Sequence, residues 1–280
     1  MTDLPAATPP PPARAARRPP KAPKAAKAAA VEPRPMIQLE GVTMAFDGRV
    51  VLDHMDLKVP RSKITVVLGG SGSGKSTALK LIVGFIYPST GKIWIDGQDV
   101  LKMTPAERLE VQKTIGMSFQ YSALFDSMTV YDNVAFPLRE HTKLSEPEIQ
   151  ERVMAMLQRL GLPGVEDKMP SDLSGGMKKR VGVARAIMLQ PKIMLFDEPE
   201  SGLDPITTTS IAELIMEMRD SFHITCLVIS HNLHSTRLIA DKACMLYKGR
   251  IIAEGTPAEL DANPDPVLQQ FLNGRAHGPY

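Results

Sequence analysis

From residue 37 onward the chain shows two rhythms. Alternate positions are mostly apolar along residues 37–46, a turn follows at Asp47-Gly48, and residues 51–59 alternate again with Leu52, Met55, Leu57 and Val59 as inward candidates. Period-two alternation of this kind predicts an antiparallel pair of strands with one covered face. Residues 64–68 differ, being short and almost wholly apolar, as expected of a strand covered on both faces. Leu79, Leu81, Ile82 and Phe85 then fall in helical spacing, which predicts a helix over 76–85 that stops at Tyr87-Pro88-Ser89-Thr90-Gly91. Residues 92–95 before Asp96-Gly97 read as a hairpin arm, and residues 115–119 as a second apolar strand leading to Gln120.

Between about 121 and 190 the pattern turns helical. Ser145 with Glu148 has the form of a capping box, and Ile149, Val153, Met156, Leu157 and Leu160 share one face before Gly161. Another helix is predicted from about 174 to 189, ending before Pro191, so the segment reads as an inserted helical subdomain. Strand patterning resumes at 193–196, followed by a helix over 206–219, a strand over 224–229, a helix over 233–240 and a closing hairpin through 245–251. Strands alternating with helices in this way predict a three-layer α/β core. Thr256-Pro257-Ala258-Glu259-Leu260 has the form of a short helix start, and the remaining residues to 280 read as a tail. No internal repeat is evident.

Composition adds a boundary. Residues 1–35 hold ten prolines, eleven alanines and seven Lys/Arg against Asp3 and Glu32, with almost no bulky apolar residue before Val31. Such a segment buries too little surface to offset its ordering entropy, which predicts a disordered or polyproline-like tail. It reads as a solvated extension, with weak attraction to an anionic membrane face as the functional alternative. It has the basic residues of a signal peptide but no apolar h-region, and no stretch of the chain approaches 18 continuous apolar residues. Without that segment the net charge of +2 becomes slightly negative, so the body is not expected to bind nucleic acid by charge. Cys226 and Cys244 sit among apolar neighbours and read as buried free thiols.

The candidate chemistry lies at the ends of the predicted strands. After the apolar strand 64–68 comes Gly69-Gly70-Ser71-Gly72-Ser73-Gly74-Lys75-Ser76-Thr77, a complete phosphate loop opening a helix. Its glycines let successive N–H groups face one anion, Lys75 adds a point charge, Ser76 is placed to ligate Mg²⁺, and the helix start with Thr77 helps hold the phosphates. The strand 193–196 runs into Asp197 and Glu198 before Pro199. Alone, such a pair could cap a turn. With the phosphate loop, Asp197 is the expected acceptor for Mg²⁺-bound water, and Glu198 the group that orients or deprotonates the water attacking the γ-phosphate. Gln120 ends its strand at the seam with the helical insertion, as a Mg²⁺/water ligand candidate. His231, one residue past Ser230, is a candidate to reach the γ-phosphate.

Taken together, residues 36–255 resemble the ATPase subunit of an ATP-binding-cassette transporter, because six motifs occur in family order. Besides the phosphate loop and Gln120, Leu173-Ser174-Gly175-Gly176-Met177 matches the signature, residues 193–198 the acidic strand, Ser201-Gly202-Leu203-Asp204 the D-loop, and His231 the switch histidine. The resemblance implies an α/β fold with a P-loop NTPase (RecA-like) core, an antiparallel β subdomain and an α-helical subdomain inserted over about 121–190. It implies that ATP and Mg²⁺ bind between two copies of the chain, with Ser174, Gly175, Gly176 and Asp204 of one copy serving the phosphate loop of the other. Phe46 stands where an aromatic stacks on adenine, although tyrosine is commoner there. Glu200 also departs from the pattern, since a small, hydroxylic or aromatic residue usually follows this proline.

The stretch from Phe119 to Glu140, with Asp204-Pro205-Ile206-Thr207 and the segment Asn263-Pro264-Asp265-Pro266 through Gly274, resembles the Mla-type, MCE-associated lipid transport ATPases. That implies an integral membrane permease dimer whose coupling helix docks beside residues 121–136, an MCE substrate-binding protein reached through the permease, and a small STAS-domain protein as a further partner. Location at the cytoplasmic face of a bacterial inner membrane, peripheral through the permease, follows from the same resemblance. Residues 256–280 are the candidate for a contact with the second copy. A cassette for a small polar solute, and a soluble mechanochemical or DNA-repair cassette, are the alternatives; a single cassette with only about 70 residues inserted argues against the latter.

Overall fold

The computed structural model describes residue 2 and residues 34–280, so the tail predicted over 1–35 lies almost wholly outside the described residues. The strands are β1 (Ile37–Phe46), β2 (Arg49–Val59), β3 (Ile64–Leu68), β4 (Thr90–Ile95), β5 (Gln98–Asp99), β6 (Ile115–Ser118), β7 (Ile193–Asp197), β8 (Thr225–Ser230), β9 (Lys242–Tyr247) and β10 (Arg250–Gly255). They form two sheets. One is antiparallel, in the order β2-β1-β4-β5; the other, β10-β9-β3-β8-β7-β6, is parallel from β9 to β6 and closes with the antiparallel β10.

The apolar runs explain the layering. Alternate residues of the parallel strands enter opposite cores: Ile64, Val66, Met194, Phe196, Cys226 and Val228 pack on one side, and Val67, Ile193, Leu195, Leu227 and Ile229 on the other. A strand feeding two cores has no polar face to show, hence its unbroken hydrophobicity. The second core is shared with the antiparallel sheet and with α1 (Lys75–Val83), through Leu79, Leu81 and Ile82. The first core is roofed by helices.

Those helices include the insertion predicted over about 121–190. It contains α3 (Val130–His141), α4 (Glu146–Arg159) and α5 (Gly175–Ile187), and it packs Val134, Leu138, Ile149, Val153, Leu157 and Val181 into the first core. On the other side of β7 in sequence come α6 (Pro205–Phe222) and α7 (Leu233–Ile239). One element not expected from the sequence is α2 (Pro105–Gln112), which starts with a capping box formed by Thr104 and Glu107 and buries none of its residues. The segment 256–280 also differs from a simple tail. It folds as α8 (Pro257–Ala262) and α9 (Pro266–Leu272), which bury Leu260 and Leu268 in the first core. Cys226 and Cys244 are buried free thiols, and burial pushes each up to about 12. No helix among the described residues is long and apolar enough to cross a membrane.

Candidate functional site

Parallel register collects the sequence motifs at one edge. Leu68 pairs with Ser230 and Asp197 with Ile229, while Ser118 pairs with Phe196, so the C-terminal ends of β3, β8, β7 and β6 lie side by side. The phosphate loop, His231, Glu198 and Gln120 each follow one of these ends. This is the edge of an open α/β sheet at which ligands bind.

Between β3 and α1 the loop turns sharply. Gly74 caps α1 in a left-handed conformation (φ 107°), and a Cβ there would come 2.6 Å from Leu52 Cδ2 and 3.0 Å from the Val51 carbonyl oxygen, so β2 closes the space to anything but glycine. Lys75 is buried, and its ammonium donates to the carbonyls of Gly69 (2.8 Å) and Gly70 (2.9 Å) while lying 3.9 Å from Glu198. Burial holds Lys75 below the usual lysine range against the pull of Glu198 and Asp197. The Gly70 N–H donates to the phenol oxygen of Tyr280 at 2.7 Å; that ring packs against Tyr247 and Phe271, with centroids 5.1 and 5.5 Å away.

The acidic strand faces this loop. Ser76 Oγ donates to Asp197 at 3.2 Å, and burial pushes the Asp197 carboxyl up, opposed first by that hydrogen bond. Glu198 follows in a left-handed conformation (φ 45°), a strained state for a residue with a side chain, and its N–H is held by the Ile229 carbonyl at 3.0 Å. Its carboxylate gathers the remaining candidates: Gln120 Nε2 and His231 Nδ1 both lie 3.4 Å from Oε2. Gln120 also donates to Ser201 Oγ at 3.3 Å. Hydroxyl, carboxylate and side-chain amide oxygens from Ser76, Asp197 and Gln120 are hard donors of the kind Mg²⁺ takes together with water and phosphate oxygens. The donor set fits that ion.

An open cavity of about 830 Å³ runs from Phe46 across Ser71, Gly72, Gly74, Lys75, Ser76 and Thr77 to Gln120 and Glu198. Phe46 is 44% exposed at its rim, free to present a ring face. Five lining residues were not found from the sequence: Arg49, Val50, Val51, Lys248 and Gly249. The tight β9–β10 turn at Lys248-Gly249 was visible, but its approach to β2 is not local. A Cβ on Gly249 would lie 2.6 Å from the Val51 carbonyl oxygen, and the Gly249 carbonyl accepts from Asp53 at 3.0 Å. That contact delivers a lysine to a site for a polyanion.

Ser174, Gly175, Gly176, Asp204, Asp197 and His231 do not line this cavity. Asp197 and His231 stand behind it through their bonds to Ser76 and Glu198, whereas the signature lies elsewhere on the chain. Ser174 caps α5 by accepting from Met177 N–H at 3.3 Å, so α5 starts with backbone N–H groups at a Ser-Gly-Gly surface. Asp204 caps α6, accepting from the N–H groups of Ile206 and Thr207 at 3.0 Å each, and the Thr207 hydroxyl holds its carboxyl below the usual range. These two helix starts touch: a Cβ on Gly176 would lie 2.7 Å from Thr207 Cγ2.

Comparison with known proteins agrees with this geometry. The family model described as ABC transporter matches residues 52–201, more than half of the chain. The intermembrane phospholipid transport system ATP-binding protein MlaF of Escherichia coli K12 is 44% identical over 244 residues, which cover 87% of this chain and 91% of MlaF. The probable ribonucleotide transport ATP-binding protein mkl of Mycobacterium leprae is 43% identical over 243 residues, 87% of this chain and 70% of that protein. Among solved structures, cbiO1 of Clostridium perfringens, part of the ABC transporter complex cbiONQ, superposes with a TM-score of 0.76 at 32% identity, over 87% of this chain and 96% of its own. Dimeric MJ0796, in a post-hydrolysis state bound to ADP and Pi, gives 0.73 at 28% identity over 79% and 99%. With the phosphate loop, acidic strand and signature in family order on a matching fold, the chain belongs to the ABC transporter family, as its ATP-hydrolysing cassette.

Proposed function

We propose that this cassette powers the movement of phospholipid or another hydrophobic lipid between a bacterial inner membrane and an MCE protein. The observation that carries the reading is the 44% identity along 91% of MlaF, a phospholipid transport protein. Exposed aromatics beside Gln120 support a membrane partner: Tyr121 is 86% and Phe125 40% exposed, on the segment where a permease coupling helix would dock. The permease is a dimer of the MCE-associated type, the cassette lies at the cytoplasmic face, and a STAS-domain protein is a further partner. The identity to mkl supports a second reading, a ribonucleotide or similar polar cargo.

Two copies bind two ATP head to tail. In each site Phe46 stacks on adenine, the 69–77 loop wraps the phosphates, and Lys75 leaves its carbonyl partners for the β- and γ-phosphates. Ser76, Asp197 and Gln120 would hold Mg²⁺, which when bound would neutralise phosphate charge. The other copy brings Ser174 with the Gly175 and Gly176 N–H groups to the γ-phosphate, and Asp204 to the interface. Glu198 then aligns a water and takes its proton as the oxygen attacks phosphorus and the bond to ADP breaks. His231, within 3.4 Å of that carboxylate, steadies it and the leaving γ-phosphate. Closing and reopening of the pair pull on the permease, so cargo selectivity resides in the permease and MCE protein.

Purification of the Glu198→Gln chain with ATP from detergent-solubilised native membranes, with mass spectrometry of bound proteins and lipids, tests this. A permease, an MCE protein and phospholipid are expected. A periplasmic solute-binding protein in their place would transfer the chain to the second reading, and recovery of no membrane protein would overturn the lipid proposal.

A further inference from the structure

Glu200 has no part in the mechanism above, yet it is among the most buried carboxylates of the described residues, at 7% exposure. It lies two residues past Glu198, and its side chain turns inward over a small apolar space floored by Val66, Ile211 and Val228. A carboxyl is a costly group to leave there without a partner. Its partner is Ser230, whose hydroxyl donates to Glu200 Oε1 and accepts the Asn232 N–H at 2.8 Å. Asn232 in turn caps α7, taking the Ser235 N–H at 2.9 Å. His231 is therefore the one residue between two whose positions are set by a single hydroxyl.

A second bond runs beside the first. The Glu198 N–H is held by the Ile229 carbonyl at 3.0 Å, so residues 198–200 are pinned to residues 229–230 at two points, one backbone and one side chain. Both lie immediately before His231. The backbone bond from Ile229 gives the strained backbone of Glu198 the external support such a conformation needs, independently of Glu200. The charged groups facing Glu200 fit a held carboxylate. Burial pushes it up, with the Glu198 charge adding to that, while the Ser230 hydrogen bond and His231 oppose the shift; burial likewise holds the Lys179 ammonium on α5 below the usual lysine range, opposed first by Glu200. A serine, alanine or phenylalanine at this position would leave the Ser230 hydroxyl without this acceptor.

We infer that Glu200 is a positioning residue for hydrolysis: through Ser230 it fixes the loop bearing His231 against the segment bearing Glu198. The inference rests on the roles proposed above for His231 and Glu198. It differs from them in assigning work to a residue that never touches nucleotide.

The test is single-turnover and steady-state ATP hydrolysis by the full chain carrying Glu200→Ala, Glu200→Gln, Ser230→Ala and His231→Ala, alone and combined. Glu200→Ala and Ser230→Ala should each lower kcat by about tenfold, the size of one lost hydrogen bond expressed in the transition state, with KM for ATP within about twofold of wild type. Their combination should be no slower than the slower single variant, because both cut the same bond. Glu200→Gln, whose amide oxygen still accepts from Ser230, should keep most of kcat. In the His231→Ala background, Glu200→Ala should change nothing further. Wild-type kcat in Glu200→Ala, a shift in KM alone, or a further tenfold loss on top of His231→Ala would overturn the inference. If Glu200→Ala does not fold, Ser230→Ala, which removes this bond together with the Asn232 one, decides in its place: wild-type kcat there would overturn the inference. A His231→Ala chain with wild-type kcat would overturn the underlying role of His231, and this inference with it; an impaired His231→Ala beside a normal Glu200→Ala would overturn the inference only.

Discussion

Asp197 and Lys75 each carry a charge that the isolated fold disfavours. Burial raises the Asp197 carboxyl above its unfolded value, so folding favours the protonated form. The resulting penalty is absent below the ordinary aspartate range, grows as pH rises through the folded value, and is fully present at neutral pH. Asp197→Asn, which still accepts from Ser76, should therefore raise the melting temperature of the nucleotide-free protein at pH 7 by about 2–4 °C, and the gain should vanish near pH 3. The same variant should lose at least about 100-fold in Mg²⁺-dependent hydrolysis, the usual scale of one electrostatic contact to the transition state. A melting temperature that falls at neutral pH would refute the sign of this argument. Glu198→Gln should behave differently. With the proposed general base gone, turnover should drop by about 10²–10⁴-fold while ATP binding, measured by equilibrium titration, stays near wild type.

At the scale of elements, the loop after Gln120 is held by a residue that no periodicity announces. Asn133, fully buried on α3, accepts from Phe125 N–H at 2.9 Å and donates to the carbonyls of Phe125, Met128 and Thr129 at 3.1, 3.2 and 3.0 Å. Arg185 of α5 closes the same loop by donating to the carbonyls of Ser122 (3.2 Å) and Ala123 (2.7 Å) and stacking over Phe125. Asn133→Ala leaves several backbone groups unpaired and should cost about 2–3 kcal/mol by denaturant titration. Hydrogen exchange should quicken in residues 122–129 and not in β3 or β7; a uniform increase would contradict a local role. Asn133 was hidden in the sequence because its partners are irregular backbone. The candidate strand ends were legible for the opposite reason: β3 and β7 are buried on both faces, and each runs directly into its candidate site residues. Thr104-Pro105-Ala106-Glu107 carries the same capping signature as Thr256-Pro257-Ala258-Glu259, but α2 buries nothing and so lacks the apolar stripe that marks a helix. Lys179 and Lys248 stayed invisible because their neighbours come from distant parts of the chain.

For the whole molecule, the decisive fact is what the nucleotide cavity lacks. Phe46, the phosphate loop, Gln120 and Glu198 line it, but the signature Ser174-Gly175-Gly176 does not. The α5 start is nonetheless built to receive an anion, and it packs against the start of α6 within the same chain, so the two helix ends move as one surface. If that surface serves a second copy, a Lys75→Met chain and a Ser174→Arg chain should each hydrolyse ATP poorly by themselves. Mixed in equal amounts and allowed to exchange, they form one intact site per mixed pair, from the phosphate loop of one and the signature of the other. Random pairing then restores up to about a quarter of the wild-type sites, and the regained rate should rise with total protein concentration. A mixture no faster than the sum of its parts would mean that each chain hydrolyses ATP with its own signature, which would require α5 to swing onto its own phosphate loop. The contacts of Lys179 with the Gln120 and Glu198 carbonyls oppose that movement, since they bind α5 to the strand ends at a buried cation. On the proposed reading, a chain braced in this way completes its site by meeting another, and coupling to a membrane partner would then act on the geometry of the pair.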